Sequence, residues 1–381
     1  MIKFSAIGDI ALFGEYKKII EKKGIDYPFS LISKYFKERD LTFGNLEVPI
    51  SDKGKPDSSK PISLCAPPSA LEVLKSAKIN YVSLANNHSY DFGKEAFFDT
   101  QNRLRSANIS FMGVGENLLG SRRPVYFKNG NTLIAILAYN SYATNGRNIA
   151  NRFSGGIAPL EYKFIKSDIQ SIKKKHDGCI ILISLHWGIE MSNYPTPFQR
   201  DLARKLIDKG ANLIIGHHPH VLQGIEGYNN GLIVYSLGNF CFPDVRSPYF
   251  NNIVYKQGMN NRESIILNCN FEDNKLINYN IVPIIINKNL QPEIVKNKEA
   301  KIILKKIKIL SAPLKNKNYH NYYKDKVNKK NKSGLLYSIK QKNFSEIVKR
   351  INLMYLKAYA IALSNNIKEI IHKKSFYNSI S

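Results

Sequence analysis

Long hydrophobic runs are missing from this sequence. No stretch approaches the ~18–20 apolar residues that a membrane-spanning helix needs; the longest, residues 179–185 and 133–138, are of strand length. Cysteine is scarce. Cys65, Cys179, Cys241 and Cys269 lie far apart in 381 residues, with no CxxC pair. That excludes a zinc ribbon or dithiol redox motif and argues against a disulfide framework. Cys179 opens an apolar run and reads as a buried thiol. Tryptophan occurs once, at Trp187, and no internal repeat is visible. Residues 1–9 are too short and polar for the apolar region of a signal peptide. The expectation is a cytoplasmic protein, with peripheral attachment at the inner membrane left open.

Acidic residues are also few, 30 against 56 Lys and Arg, for a formal net charge of +26. The excess is uneven. Residues 295–381 hold 21 Lys/Arg and 4 Asp/Glu, net +17, which puts most of it in a C-terminal tail. Hydrophobic residues make up 43%, enough for a sizeable core and too many for general disorder.

Short apolar runs alternate with amphipathic stretches, an α/β pattern. Strands are expected at 3–7, 41–43, 81–84, 133–139, 179–185, 213–215 and 232–235. Helices are expected at 28–37, 69–77, 94–107, 161–175 and 199–209. Residues 128–132 read as a hairpin turn, and 264–271 and 279–286 as closing antiparallel strands. From about 291 the character changes. Residues 299–310 read as a basic amphipathic helix, 311–333 as a linker or loop, and 335–373 as a helical pair with a basic outer face. The expected division is a domain at 1–290 and a basic helical extension at 295–381.

Polar residues fall at telling places. Asp9, Asn45, Asn86-Asn87-His88, His186 and His217-His218-Pro219-His220 each come just after the carboxyl end of an expected strand. Ligands of α/β sheets bind there. Pro219 predicts extended geometry at His218, which lets His218 and His220 converge on one ion where the loop curves. A mixed set of imidazole, carboxylate and amide oxygen suits one or two divalent ions such as Mn, Zn or Fe. A dinuclear site of that kind activates water and stabilises developing charge. His176, His320 and His372 lie in polar, Lys-rich surroundings and are given no site role.

Six motifs occur in order: Gly8-Asp9, Gly44-Asn45-Leu46-Glu47, Ala85-Asn86-Asn87-His88-Ser89-Tyr90-Asp91-Phe92-Gly93, Ser184-Leu185-His186-Trp187-Gly188-Ile189-Glu190, Gly216-His217-His218-Pro219-His220 and Tyr235-Ser236-Leu237-Gly238-Asn239-Phe240. Over about residues 1–245 the chain thereby resembles the CapA (PgsA) family of capsule and poly-γ-glutamate synthesis proteins. That family is similar in fold to the calcineurin-like metallophosphoesterases, whose motifs run D-x-H, G-D, G-N-H-D/E, H and G-H-x-H. The resemblance implies a four-layer αββα sandwich. It implies metal ligation by Asp9, Asn45, Glu47, Asn87, His186, His218 and His220, with His88 at the leaving group. Two departures stand out: Ala11 replaces the first-motif His, and Asn45 stands where a bridging Asp is expected, with Glu47 as its substitute.

Around these, Asp91 is read as orienting His88 and Glu190 as a base, ligand or substrate contact, which puts both with His88 in the catalytic set. Asn86, Trp187, His217 and Asn239 are read as substrate-side residues, with a core wedge as the plainer reading of Trp187. Arg122 and Arg123 are read as a solvated turn rather than an anion contact.

The resemblance implies a metal-dependent hydrolase in capsule or poly-γ-glutamate synthesis. A phosphoesterase acting on a capsule precursor and a non-catalytic polymer-binding or synthase partner are the alternatives. The expected partners are an anionic polymer or precursor and, through the basic tail, an anionic membrane. Nucleic acid is disfavoured, because no stacking platform interleaves with the basic residues.

Overall fold

Runs of β-branched residues closed by Gly, Asn or His form the strands of two sheets. The strands that build them are β1 (Ile2–Ile10), β2 (Leu41–Leu46), β3 (Tyr81–Ser83), β4 (Ser110–Met112), β5 (Val125–Asn129), β6 (Thr132–Asn140), β7 (Ile180–His186), β8 (Leu213–His217), β9 (Ile225–Tyr228), β10 (Gly231–Val234), β11 (Asn239–Cys241), β12 (Glu263–Glu272), β13 (Lys275–Ile286) and β14 (Pro292–Ile294). This computed structural model describes residues 1–60, 62–144, 148–246, 253–328 and 367–378. The first sheet runs β14-β13-β12-β1-β2-β3-β4, with β11 also paired to β1; the second runs β9-β10-β8-β7-β6-β5. The closing strands are antiparallel, from Glu263↔Ile285 to Glu272↔Lys275.

Alternation along the second sheet assigns its two faces. Ile134, Ile136, Ile180, Leu182, Leu213 and Ile215 join Phe4, Phe43 and Val82 of the first sheet in one core. Their neighbours Ala135, Leu137, Ile181, Ile183 and Ile214 lie in a second core beneath helices. Each such fully buried Ile, Leu, Val or Phe side chain contributes roughly 1.5–3 kcal/mol of transfer free energy. The helices are α1 (Glu15–Lys23), α2 (Ala70–Ser76) and α3 (Gly93–Ser106) over the first sheet, and α4 (Tyr162–Lys175) and α5 (Pro197–Asp208) over the second. The order helix–sheet–sheet–helix is the four-layer αββα sandwich expected. Thr196 starts α5 through a capping box with Gln199, and Pro197 sits at its first turn.

Three local expectations need correction. Residues 28–37 do not form one helix but a 3₁₀ turn, Tyr27–Phe29, and a short helix, Ser33–Lys37. Phe29 and Phe36 both pack on Phe240, 5.4 and 6.0 Å away, and that packing sets the path. Residues 311–333 are no linker over their described part. Ala312–Lys315, Tyr319–Tyr322 and Tyr323–Asn328 are helical turns, and Leu314, Tyr319 and Tyr323 are buried. Arg200 of α5 donates to the carbonyls of Leu314 and Asn316, and Tyr319 donates to that of Pro195, so a Lys- and Asn-rich stretch is held by three apolar anchors. Arg122 is no solvated turn. It is buried and paired with Asp168 of α4.

The expected helix at 299–310 is α6 (Asn297–Ser311). Of the helical pair expected at 335–373, residues 335–366 lie outside the described residues, and 367–378 are helical. There Phe376 packs on Phe198, and His372 accepts from the Tyr162 amide.

Candidate metal centre

Parallel pairing puts the motif residues side by side. Asp9 of β1 is level with Asn45 of β2 and with Asn239 of β11. His217 of β8 is level with His186 of β7, which is level with Asn140 of β6. The carboxyl ends of both sheets therefore open on one spot. The approach of β11 to β1 depends on Gly8, where a Cβ would come 1.9 Å from the Gly238 carbonyl oxygen.

Glu47 lies at the centre. Its Oε1 is 3.5 Å from His186 Nε2 and 3.6 Å from His220 Nε2, and it is buried without a hydrogen bond. Two buried triads could each hold an ion: Asp9–Glu47–His186 and Glu47–His218–His220, with donor atoms within 4.8 Å of one another. Glu47 belongs to both. His217 Nε2 and His218 Nδ1 are likewise buried and unpartnered. Buried polar atoms are normally satisfied, and this donor set fits divalent metal.

The remaining polar atoms are spent on alignment. Asp9 Oδ1 takes hydrogen bonds from Asn45 Nδ2 at 2.9 Å and His217 Nδ1 at 3.1 Å. His220 Nδ1 is 2.9 Å from Asn239 Oδ1 and 3.4 Å from Asp9 Oδ2. His186 Nε2 and Asn87 Oδ1 are 2.8 Å apart.

Charge tracks environment. Burial opposes ionisation of Asp9, but hydrogen bonds from His217 and His220 outweigh it and hold the carboxyl well below its usual range. Burial and then the Asp9 charge push Glu47 well above its own. Burial, reinforced by the nearby His218, keeps His186 neutral. Burial lowers His218 to about 4 against the opposing pull of Glu190. Burial also disfavours charge on His220, yet the Glu47 and Asp9 carboxyls raise it to about 10. Neutral His186 and His218 are ready ligands, and loading a metal onto His220 would release a proton.

The backbone is strained at this spot. Met191, His218 and His220 have φ of 62°, 93° and 56°, in a region non-glycine residues rarely adopt. The expected extended geometry of His218 is thus corrected. The amide of His218 meets Asp9 Oδ2 at 3.4 Å and the Pro219 carbonyl accepts from Met191, which holds the loop turned inward.

His88 sits at the mouth, 14% exposed, with Nδ1 2.6 Å from Asp91 Oδ2. This is the contact through which Asp91 would orient His88. A residue that sequence reasoning missed completes the chain: Lys60 Nζ reaches both Asp91 Oδ1 and the Asn87 carbonyl, and the Leu64 amide donates to Asp91 Oδ2. Burial works against the Asp91 charge, but His88 and Lys60 lower its pKa. Nothing in the polar loop around Lys60 marks it out; only the fold brings it there. Glu190 has a 57% exposed side chain 4.0 Å from His218 Nε2. Partial burial is outweighed by His218, His220 and His88, which lower its pKa. Asn140 was also missed; it is buried, and its side-chain nitrogen has no partner.

Several sequence assignments change. The Asn45 amide nitrogen faces Asp9, Glu47 and His186, so Asn45 crosslinks the ligands rather than offering its oxygen. Asn86 is buried, bonded to the Leu46 carbonyl, the His88 amide and Ser89 Oγ, with nothing left for substrate. Trp187 is 1% exposed, stacked on Tyr235 with its N–H on the Tyr235 carbonyl, which makes it the core wedge. Asn239 divides its amide between His220 and Gln257. His217 serves Asp9 from beneath and is 1% exposed.

Comparison with known proteins agrees with the motif order. Residues 3–244 match the family model described as bacterial capsule synthesis protein PGA_cap. The chain belongs to the PGA_cap family. It is 33% identical over 246 residues to the capsule biosynthesis protein CapA of Bacillus anthracis, covering 63% of this chain and 60% of that one. It is 34% identical over 244 residues to the PGA biosynthesis protein CapA of Bacillus subtilis, covering 64% and 63%. The alignments thus span about three-fifths of these relatives' length. Among solved structures it is similar to a novel phosphatase of Mycoplasma pneumoniae at a TM-score of 0.46 and 17% identity, covering 74% of this chain and 93% of that one. No described helix is long and apolar enough to cross a membrane.

Proposed function

We propose that this PGA_cap protein is a metal-dependent hydrolase acting in the synthesis of an anionic capsule polymer of the poly-γ-glutamate kind. The observation that carries the reading is Glu47, a buried carboxylate shared by two ligand triads, with one oxygen left unbonded. Asp9, Glu47 and His186 would hold one divalent ion, and Glu47, His218 and His220 a second. The donor set suits Mn, Zn or Fe. Such ions supply Lewis acidity and an activated water.

The chain's own residues supply the rest. Ionised Asp91 accepts from His88 Nδ1 and fixes the ring. That leaves Nε2 to hold a proton for a leaving amine or alkoxide at the mouth. Lys60 holds Asp91 in turn. Asn45 and Asn239 align the ligands without contacting substrate. The exposed Glu190, 4.0 Å from His218 Nε2, is open to whatever enters. Four unpaired cysteines accord with a cytoplasmic setting.

The test is turnover by purified, Mn-loaded protein on γ-glutamyl anilides and aryl phosphates in parallel. His88→Asn should lower turnover ~10²–10⁴-fold and leave bound metal unchanged. Turnover of the anilide supports an amidase, and turnover of the phosphate alone moves the reading to a phosphoesterase. A metal-loaded protein inert on both would favour a binding partner of the synthesis machinery.

A further inference from the structure

Helix α6 rests on the fold through Ile303, Ile307 and Leu310, which are 3–5% exposed, while Lys306 is tied to Glu263 and Asn260. Its other face is unusual. Ile302 and Ile309 are 53% and 54% exposed. Ile302 and Ile309 are seven residues apart, so they stand on one azimuth two turns from each other. Lys298 and Lys305 lie beside them on that face, and Lys301 and Lys308 flank it; all four are exposed. Glu299, the only carboxylate of the helix, lies three residues before Ile302 and flanks the isoleucines on the side away from these lysines.

We propose that this outer face of α6 seats on an anionic lipid surface. A solvated helix would carry polar groups in place of the two isoleucines. A soluble acidic polymer would be held by the lysines and would make no use of the isoleucines. An uncharged apolar partner would leave four lysines unanswered. An anionic bilayer uses both sets: the isoleucines enter the boundary between headgroups and acyl chains, and the lysines meet the phosphates. The helix already stands on the domain by its opposite face, so it can lie in the membrane plane without unfolding. The helix belongs to residues 295–381, whose sequence carries a net charge of +17. This placement is independent of the chemistry at the metal centre.

The test is co-sedimentation of the full chain with vesicles of phosphatidylcholine plus phosphatidylglycerol, against phosphatidylcholine alone, with soluble poly-γ-glutamate as a third ligand. The wild type should bind the mixed vesicles, and less so as salt rises. Ile302→Ser with Ile309→Ser should lower that partition about tenfold and leave poly-γ-glutamate binding as it was. Ile302→Trp should raise it, a gain that no folding defect imitates. Unchanged vesicle binding in the double serine variant overturns the proposal. So does a wild type without preference for the anionic vesicles, or a serine variant whose only change is the loss of a dimer.

Discussion

Replacing Glu47 by Gln keeps the shape of the side chain and removes the one charge that both triads share. If the two triads are real metal sites, this single change empties both. His218→Ala, by contrast, breaks only the Glu47–His218–His220 group and leaves Asp9–Glu47–His186 intact. The structure also sets the sign of the stability change. Glu47 Oε1 is buried without a hydrogen bond, and an unsatisfied buried group of this kind costs ~1–3 kcal/mol. Metal-free Glu47→Gln should therefore be as stable as metal-free wild type, or more so. Ions at a hundred times their dissociation constant stabilise a folded protein by ~2.7 kcal/mol per site. Wild type, with two sites, should gain about twice that from added Mn, His218→Ala ~2.7 kcal/mol from its remaining site, and Glu47→Gln close to nothing. Elemental analysis after dialysis gives the stoichiometry, and urea unfolding with Mn or with chelator gives the free energies. Full metal content in Glu47→Gln would refute the shared-ligand reasoning. A metal-free variant much less stable than wild type would show instead that Glu47 is a structural group.

Two further outcomes concern polar groups away from the ligands. Lys60→Met leaves the buried Asp91 carboxylate without its cation; breaking a buried pair costs ~3–5 kcal/mol, and the low end applies because Leu64 and His88 still bond Asp91. A loss below about 1 kcal/mol in urea unfolding, the range of a surface pair, would place Lys60 outside the His88 relay. Asp99 bonds Arg103, Lys53 and Ser51; burial opposes its charge, but these partners pull its pKa down to about 2. Its folded pKa is lower than its unfolded one, so its contribution is present above about pH 4 and lost as pH falls toward 2. With Lys53 60% exposed, solvent screening leaves about 1–2 kcal/mol for Asp99→Asn at pH 7. An equal deficit at pH 7 and near pH 2 in urea unfolding would contradict this.

Much of the site was legible in the chain because α/β folding makes it so. Strands are read from short apolar runs, and residues just past a strand's carboxyl end face the ligand side. That local rule sufficed to collect Asp9, Asn87, His88, His186, His218 and His220; Glu47 entered only with the resemblance, which the order of the motifs carried. The hairpin at 128–132 and the closing antiparallel strands were local patterns too. The use made of each polar atom was not local. Register brings Asn239 beside Asp9 and turns its amide to His220, and it sets the Asn45 nitrogen among three acceptors where an oxygen ligand was expected. Lys60 carries no signal of its own; the return of a polar loop over Asp91 gives it a role. Leu314, Tyr319 and Tyr323 sit in a Lys- and Asn-rich stretch whose spacing suggests a linker, and only the docking carbonyls opposite Arg200 and Arg204 make it part of the fold. Periodicity and strand ends report which side of an element a residue occupies. Hydrogen-bond partners, backbone strain and the sharing of Glu47 arise only when segments distant in sequence meet.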